Sequence, residues 1–188
     1  LELGIDLSMQ SASKYLNGHS DVTAGVVSGA HDLVERVSLA RRKLGGVLDP
    51  QAAYALGRAL KTLPIRVARH NANAMAVATA IEAHPHVARV FYPGLASHPD
   101  HAIAARQMSG FGGMVCVEVA GGEAGACRAF DRLELIKRAA SLGGTESLIE
   151  HRASMEGPET RAPENLLRLS IGLEHPDDLI GDLDQALS

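Results

Sequence analysis

The chain has 188 residues, 46% of them hydrophobic, which is enough to bury a core and fits one domain or two small ones. Its formal net charge of −4, with acidic and basic residues intermixed, gives no broad positive field, so neither nucleic acid nor an anionic membrane is an expected partner. Two cysteines without a C-x-x-C spacing, and no signal-peptide pattern, make a reducing cytoplasm the expected setting, and no apolar run approaches the roughly twenty residues of a membrane span.

Residues 5–10 read as an apolar strand that needs partners from elsewhere. Because the sequence also opens on Leu1 rather than methionine, a missing N-terminal half is expected. The strand runs into a Ser-Ala-Ser-Lys loop, and valine-rich residues 24–28 predict a second strand. A helix follows from about Asp32, with Leu33, Val34, Val37 and Leu44 on one face and Gly45-Gly46 as its stop. Asp49-Pro50 opens the next, aspartate as N-cap and proline in the first turn, with Ala53, Leu56, Leu60 and Leu63 as the apolar face. An alanine-rich helix over 65–83 carries Val67, Ala74, Val77, Ala78 and Ile81 at helical spacing and is placed to link two domains. Beyond it the pattern alternates: Val87–Phe91 as strand, His101–Gln107 as helix, Met114–Val119 as strand bracketed by glycines, 166–171 as strand, and a last helix from Pro176 with Leu179, Ile180, Leu183 and Leu187. The class is α/β.

Chemistry concentrates at 11–21, Ser-Ala-Ser-Lys-Tyr-Leu-Asn-Gly-His-Ser-Asp. Hydroxyls at Ser11 and Ser13 suit a phosphate, and the amine of Lys14 can form a Schiff base with an aldehyde, a combination that points to pyridoxal phosphate (PLP). The lysine also falls just past a strand's C-terminal end, where open α/β sheets bind ligands. His19 and Asp21 stand beside glycine and are read as turn-stabilising rather than catalytic. The pairs His84/His86 and His98/His101 have no acidic or cysteine partner at metal-ligand spacing, so no metal is assigned. Cys116 reads as a small buried hydrophobe, and Cys127 as facing a helix interface.

At 11–21 the chain resembles the Cys/Met-metabolism (transsulfuration) family of PLP enzymes. The likeness continues in order through YALGRALKTLPIRVARH at 54–70, YPGLASH at 92–98, SGFGGM at 109–114, SLGGTESL at 141–148 and LRLSIGLE at 167–174. The resemblance implies a fold type I, aspartate-aminotransferase-like enzyme, with the end of the PLP-binding large domain up to about residue 65 and the smaller C-terminal domain after it. It implies Lys14 as the Schiff-base lysine and proton carrier, Ser11 and Ser13 as cofactor-phosphate contacts, and Ser141 and Arg168 as holders of the substrate's α-carboxylate. It further implies a homotetramer built from dimers, and a small amino acid as substrate.

The implied reaction is γ-elimination or γ-replacement on a sulfur-containing or O-acylated homoserine-type amino acid. Cystathionine γ-synthase or γ-lyase chemistry leads; methionine γ-lyase or O-acylhomoserine sulfhydrylase is the alternative. Two departures bear on that choice: Met155-Glu156-Gly157 stands where the family commonly has Met-Thr-His, and Ala140 where cystathionine-processing members often have an acidic residue. The family's ring-stacking aromatic, pyridine-nitrogen aspartate and Tyr-x-Arg phosphate clamp all precede the lysine, so the 188-residue chain is expected to be inactive alone. A reading from another class is a non-catalytic assembly module, associating through the alanine-rich helix and C-terminal domain.

Overall fold

The computed structural model describes residues 4–157 and 159–188, so Leu1 lies outside the described residues. The chain divides between Leu63 and Pro64 into two compact units.

In the first unit, β1 (Leu7–Ser11) and β2 (Gly25–Gly29) form an antiparallel pair in register from Leu7 opposite Gly29 to Ser11 opposite Gly25. The pairing needs glycine at 29, since a Cβ there would stand 2.7 Å from the Asp6 carbonyl oxygen. Helix α1 (His31–Leu44) has Asp32 in its first turn and Arg41, Arg42 and Lys43 in its last, matching the helix dipole, and ends on Gly45 in the left-handed region. None of its residues is buried, and Leu44 is 85% exposed. Helix α2 (Pro50–Leu60) starts as its sequence dictates: Oδ1 of Asp49 accepts the amides of Gln51 at 2.8 Å and Ala52 at 3.2 Å.

The second unit begins with α3 (Leu63–Glu82), whose buried face changes character along its length. Ala74, Val77, Ala78 and Ile81 enter the core, whereas Arg66, His70 and Asn73 are buried polar groups one to two turns earlier. His70 Nδ1 donates to the Ile171 carbonyl at 2.7 Å, and Asn73 Nδ2 donates to the carbonyls of Gly172 at 3.0 Å and Glu174 at 2.8 Å. These bonds satisfy backbone acceptors that burial would otherwise leave at a cost of about 1–3 kcal/mol each.

A five-stranded sheet follows, with β3 (Val87–Phe91), β4 (Met114–Val119), β7 (Leu166–Ser170), β6 (Leu148–His151) and β5 (Lys137–Arg138) in that spatial order. All neighbours are antiparallel except β5 and β6. Alternation along β4 buries Val115, Val117 and Val119 on one face. Against that face pack α3, α5 (Gly122–Arg132) and α7 (Pro176–Leu187) through Ala126, Ala129, Leu179, Leu183 and Ala186. Asp182 of α7 is buried because its carboxylate accepts three amides, those of Glu134, Leu135 and Ile136, at 2.8–3.0 Å. The opposite face carries Cys116, Glu150 and Arg168 in one cross-strand row. Helices α4 (His101–Gln107) and α6 (Arg152–Glu156) complete the unit.

His70 yields a pH prediction. Burial, the largest cause, and the nearby Arg66 push its imidazole below the ordinary 6.5, against the opposing pull of the Ile171 hydrogen bond and Glu174. An unfolded chain therefore binds a proton here that the folded one refuses, and the stability His70 contributes above pH 6.5 is lost as pH falls through its folded value. Calorimetry of the intact protein between pH 7 and 5 is expected to show a falling unfolding midpoint, and His70→Asn should flatten that fall by up to about 1.4 kcal/mol per pH unit.

Candidate functional site

Lys14 sits in a five-residue π-turn, Ala12–Leu16, entered directly from β1. Its own backbone, φ −93° and ψ −133°, leaves the helical region, so the turn is kinked at the lysine. Ala24, just before β2, anchors the turn: its carbonyl accepts the Ala12 amide at 2.8 Å, and its amide donates to Ser13 Oγ at 2.9 Å. The amides of Asn17 and Gly18 close the turn onto the carbonyls of Ala12 and Lys14, at 3.1 and 2.8 Å. Lys14 is half-buried between buried Ala12 and buried Asn17.

The segment after the turn is held by its own side chains. Asn17 Nδ2 donates to Asp21 Oδ1 at 2.8 Å, and His19 Nδ1 donates to the Asn17 carbonyl at 2.6 Å. His19 and Asp21 thus stabilise the loop, and the sequence reading overlooked Asn17, the residue both of them grip. Only its place next to glycine hinted at that role. Ser11 is exposed. The hydroxyl of Ser13 accepts one strong bond and has only a long contact, 3.4 Å, from Ser13 Oγ to the Ala24 carbonyl, which leaves its proton available to a better acceptor.

Ser141 and Arg168 belong to the second unit. Ser141 has φ 153°, rare outside glycine, and local strain of that kind collects where function over-determines the backbone. Its loop is tied to the strand of Arg168 by the Gly143 amide, which donates to buried Ser170 Oγ at 2.8 Å. Arg168 Nη2 lies 2.9 Å from Glu150 Oε1, in an ion pair whose side chains are 25% and 4% exposed. Arg152 Nη1 reaches the same oxygen at 2.5 Å, and its Nη2 pairs with Glu156. Thr160 Oγ1 donates to Glu156 Oε2 at 2.6 Å, and that bond, with Arg152 second, holds the Glu156 carboxyl below its usual range.

Glu150 and Arg152 were not singled out from the sequence. The i,i+4 spacing of Arg152 and Glu156 was the available signal; the contact of Glu150 with Arg168 arises only from strand register. Cys116, opposite Arg168, is half-buried, and burial pushes its thiol up despite both guanidinium groups, so it is held as a thiol rather than a nucleophile. His101 donates from Nδ1 to the Pro93 carbonyl at 2.8 Å and packs on Phe111. Among the described residues no helix is long and apolar enough to cross a membrane.

The donor set suits one cofactor chemistry. A half-buried amine with two serine hydroxyls just before it, Ser11 at the end of β1 and Ser13 in the turn, would suit an aldehyde and a phosphate carried by one small molecule.

A sequence model of the family described as Cys/Met metabolism PLP-dependent enzyme matches residues 1–188. The chain is similar to an L-methionine gamma-lyase of Pseudomonas putida, with 48% identity over 100% of this chain and 50% of that protein. It is also similar to a cystathionine gamma-synthase of Mycobacterium tuberculosis, with 47% identity over 100% of this chain and 50% of that protein. A crystal structure of metB from Corynebacterium glutamicum aligns with a TM-score of 0.94 and 41% identity, covering 99% of this chain and 50% of that one. The chain spans about half the length of these curated relatives.

Proposed function

The chain belongs to the Cys/Met metabolism family of PLP-dependent enzymes, and from that premise we propose that the intact protein performs γ-elimination or γ-replacement on a sulfur-containing or O-acylated homoserine-type amino acid. Its α/β fold is fold type I. The observation that carries the proposal is the identity of 47–48%, over the whole chain, to both a methionine γ-lyase and a cystathionine γ-synthase. Cystathionine γ-synthase or γ-lyase activity is the leading reading. Ala140, in place of an acidic residue, favours methionine γ-lyase or O-acylhomoserine sulfhydrylase as the second.

The cofactor, when bound, supplies an aldehyde for the amino group and an electron-accepting ring that stabilises negative charge at Cα. Ser11 and Ser13 would hold its phosphate by donating their hydroxyl protons. Lys14 would be the residue that anchors it covalently, and its free amine would be placed to carry a proton between the substrate Cα and the γ-side chain. Arg168 takes the α-carboxylate through parallel N–H bonds, and Ser141 shares in that grip. The assembly is a homotetramer of paired dimers in a reducing cytoplasm, where the two free cysteines, Cys116 and Cys127, persist as thiols.

Assays of the intact protein with L-cystathionine, L-methionine and O-acylhomoserine plus L-cysteine are expected to show turnover of at least one. The 188-residue chain alone is expected to turn over none. Failure of the intact, PLP-loaded protein with all three substrates rejects this reaction class, and stable oligomers that take up no PLP would favour the assembly-module reading.

A further inference from the structure

Two guanidinium groups converge on one buried carboxylate oxygen. Arg168 Nη2 at 2.9 Å and Arg152 Nη1 at 2.5 Å both address Oε1 of Glu150, whose side chain is only 4% exposed. The contact is built into the sheet: β6 and β7 run antiparallel with Glu150 directly opposite Arg168, so the two side chains leave the same face as neighbours. A buried carboxylate is retained only when paired and hydrogen-bonded, and here the pairing engages a single amino group of Arg168. A guanidinium has five N–H donors in a rigid fork, so one edge can be held while another stays open to an incoming carboxylate.

We propose that Glu150 is a positioning residue for Arg168, holding the guanidinium plane in the orientation that receives the substrate's α-carboxylate. The inference rests on reading Arg168 as the carboxylate-binding group. An arginine side chain loses much rotamer entropy when it is fixed, and a partner that fixes it beforehand removes that cost from substrate binding. Arg152 provides the second cation at the shared oxygen, so Glu150 is not satisfied by Arg168 alone. Arg152 is in turn held by Glu156, which Thr160 also engages, and the chain of contacts extends through α6 into the segment after it.

The shared oxygen makes the role testable by reach rather than by charge. Glutamine at 150 keeps a carbonyl oxygen at the same distance along the side chain and can accept from both arginines. Aspartate keeps the charge, but its oxygens are withdrawn by one methylene, beyond hydrogen-bond reach of Arg168.

In the intact holoenzyme, assayed with whichever of L-cystathionine, L-methionine or O-acylhomoserine plus L-cysteine it turns over fastest, Glu150→Asp is expected to raise KM about tenfold with kcat within about threefold. Glu150→Gln should bring KM back to within about threefold of the parent. An Asp variant with unchanged KM, a Gln variant worse than Asp, or kcat and KM moving together in both would overturn the positioning role. Should Glu150→Asp not fold, Glu150→Ala is read against Gln by the same criterion. Arg168→Lys measured in parallel separates the two levels. If it leaves KM unchanged, the carboxylate reading itself fails; if it raises KM while Glu150→Asp does not, only the role of Glu150 falls.

Discussion

Replacing Lys14 with alanine in the intact, PLP-loaded protein is expected to lower kcat by about 10³-fold or more, the upper part of the range for loss of a positioned general acid–base. In the proposed function the amine would have two tasks: to anchor the cofactor covalently and, when free of it, to move a proton at the substrate Cα. Two other titratable groups of the loop, His19 and Asp21, are committed to the Asn17 backbone and side chain. Lys14→Arg keeps the positive charge but holds its proton permanently, so it should be as inactive as alanine, which separates proton transfer from electrostatics. Backbone bonds to Ala24 and Ala12 tie the kinked turn whichever side chain stands at position 14. Unfolding midpoints should stay within a few degrees of the parent. Borohydride reduction of the loaded parent followed by peptide mapping should find the pyridoxyl group on the peptide holding Lys14. A label on any other lysine would remove this residue from the mechanism.

The elements legible in the sequence are those with a local cause. Asp49-Pro50 carries its own cap and first turn, and α2 begins there. The alternation of Val115, Val117 and Val119 marks β4 without reference to anything else. Strand β6 was missed because its four residues, Leu148 to His151, are all buried while two of them are polar, and no periodicity separates such a strand from a loop. Two-residue β5 is below the length at which a pattern exists. On α3 nothing local marks the polar residues Arg66, His70 and Asn73 as buried; His70 and Asn73 donate to the backbone carbonyls of Ile171 and Gly172, acceptors that only tertiary structure brings. The site divides the same way. The Lys14 turn is marked by its residue types, an amine beside two hydroxyls, and by a resemblance of residue order, not by periodicity. Glu150 acquires its meaning from strand register, because the residue opposite it is eighteen positions away in sequence.

Arg168→Lys is the second large effect, an expected loss of about 10²- to 10³-fold in kcat/KM, which lies within the roughly 2–5 kcal/mol typical of truncating one partner of a buried charged hydrogen bond. Lysine preserves the charge, so the argument turns on geometry. A planar fork presenting two parallel N–H bonds would fix the carboxylate's plane as well as its position, and with it the orientation of the bonds at the substrate Cα. An ammonium holds the anion at one point and lets it rotate, so KM rises through lost contacts and kcat falls through lost alignment. Lysine also forfeits the division of labour available to arginine here: with one N–H edge on Glu150 at 2.9 Å, a guanidinium still has donors to spare, whereas an ammonium drawn towards Glu150 Oε1 is drawn away from substrate. A variant that loses kcat/KM only through KM would show that Arg168 binds without orienting. One that retains both constants would move the carboxylate site elsewhere and leave the Arg168–Glu150 pair as a fastening of β7 to β6.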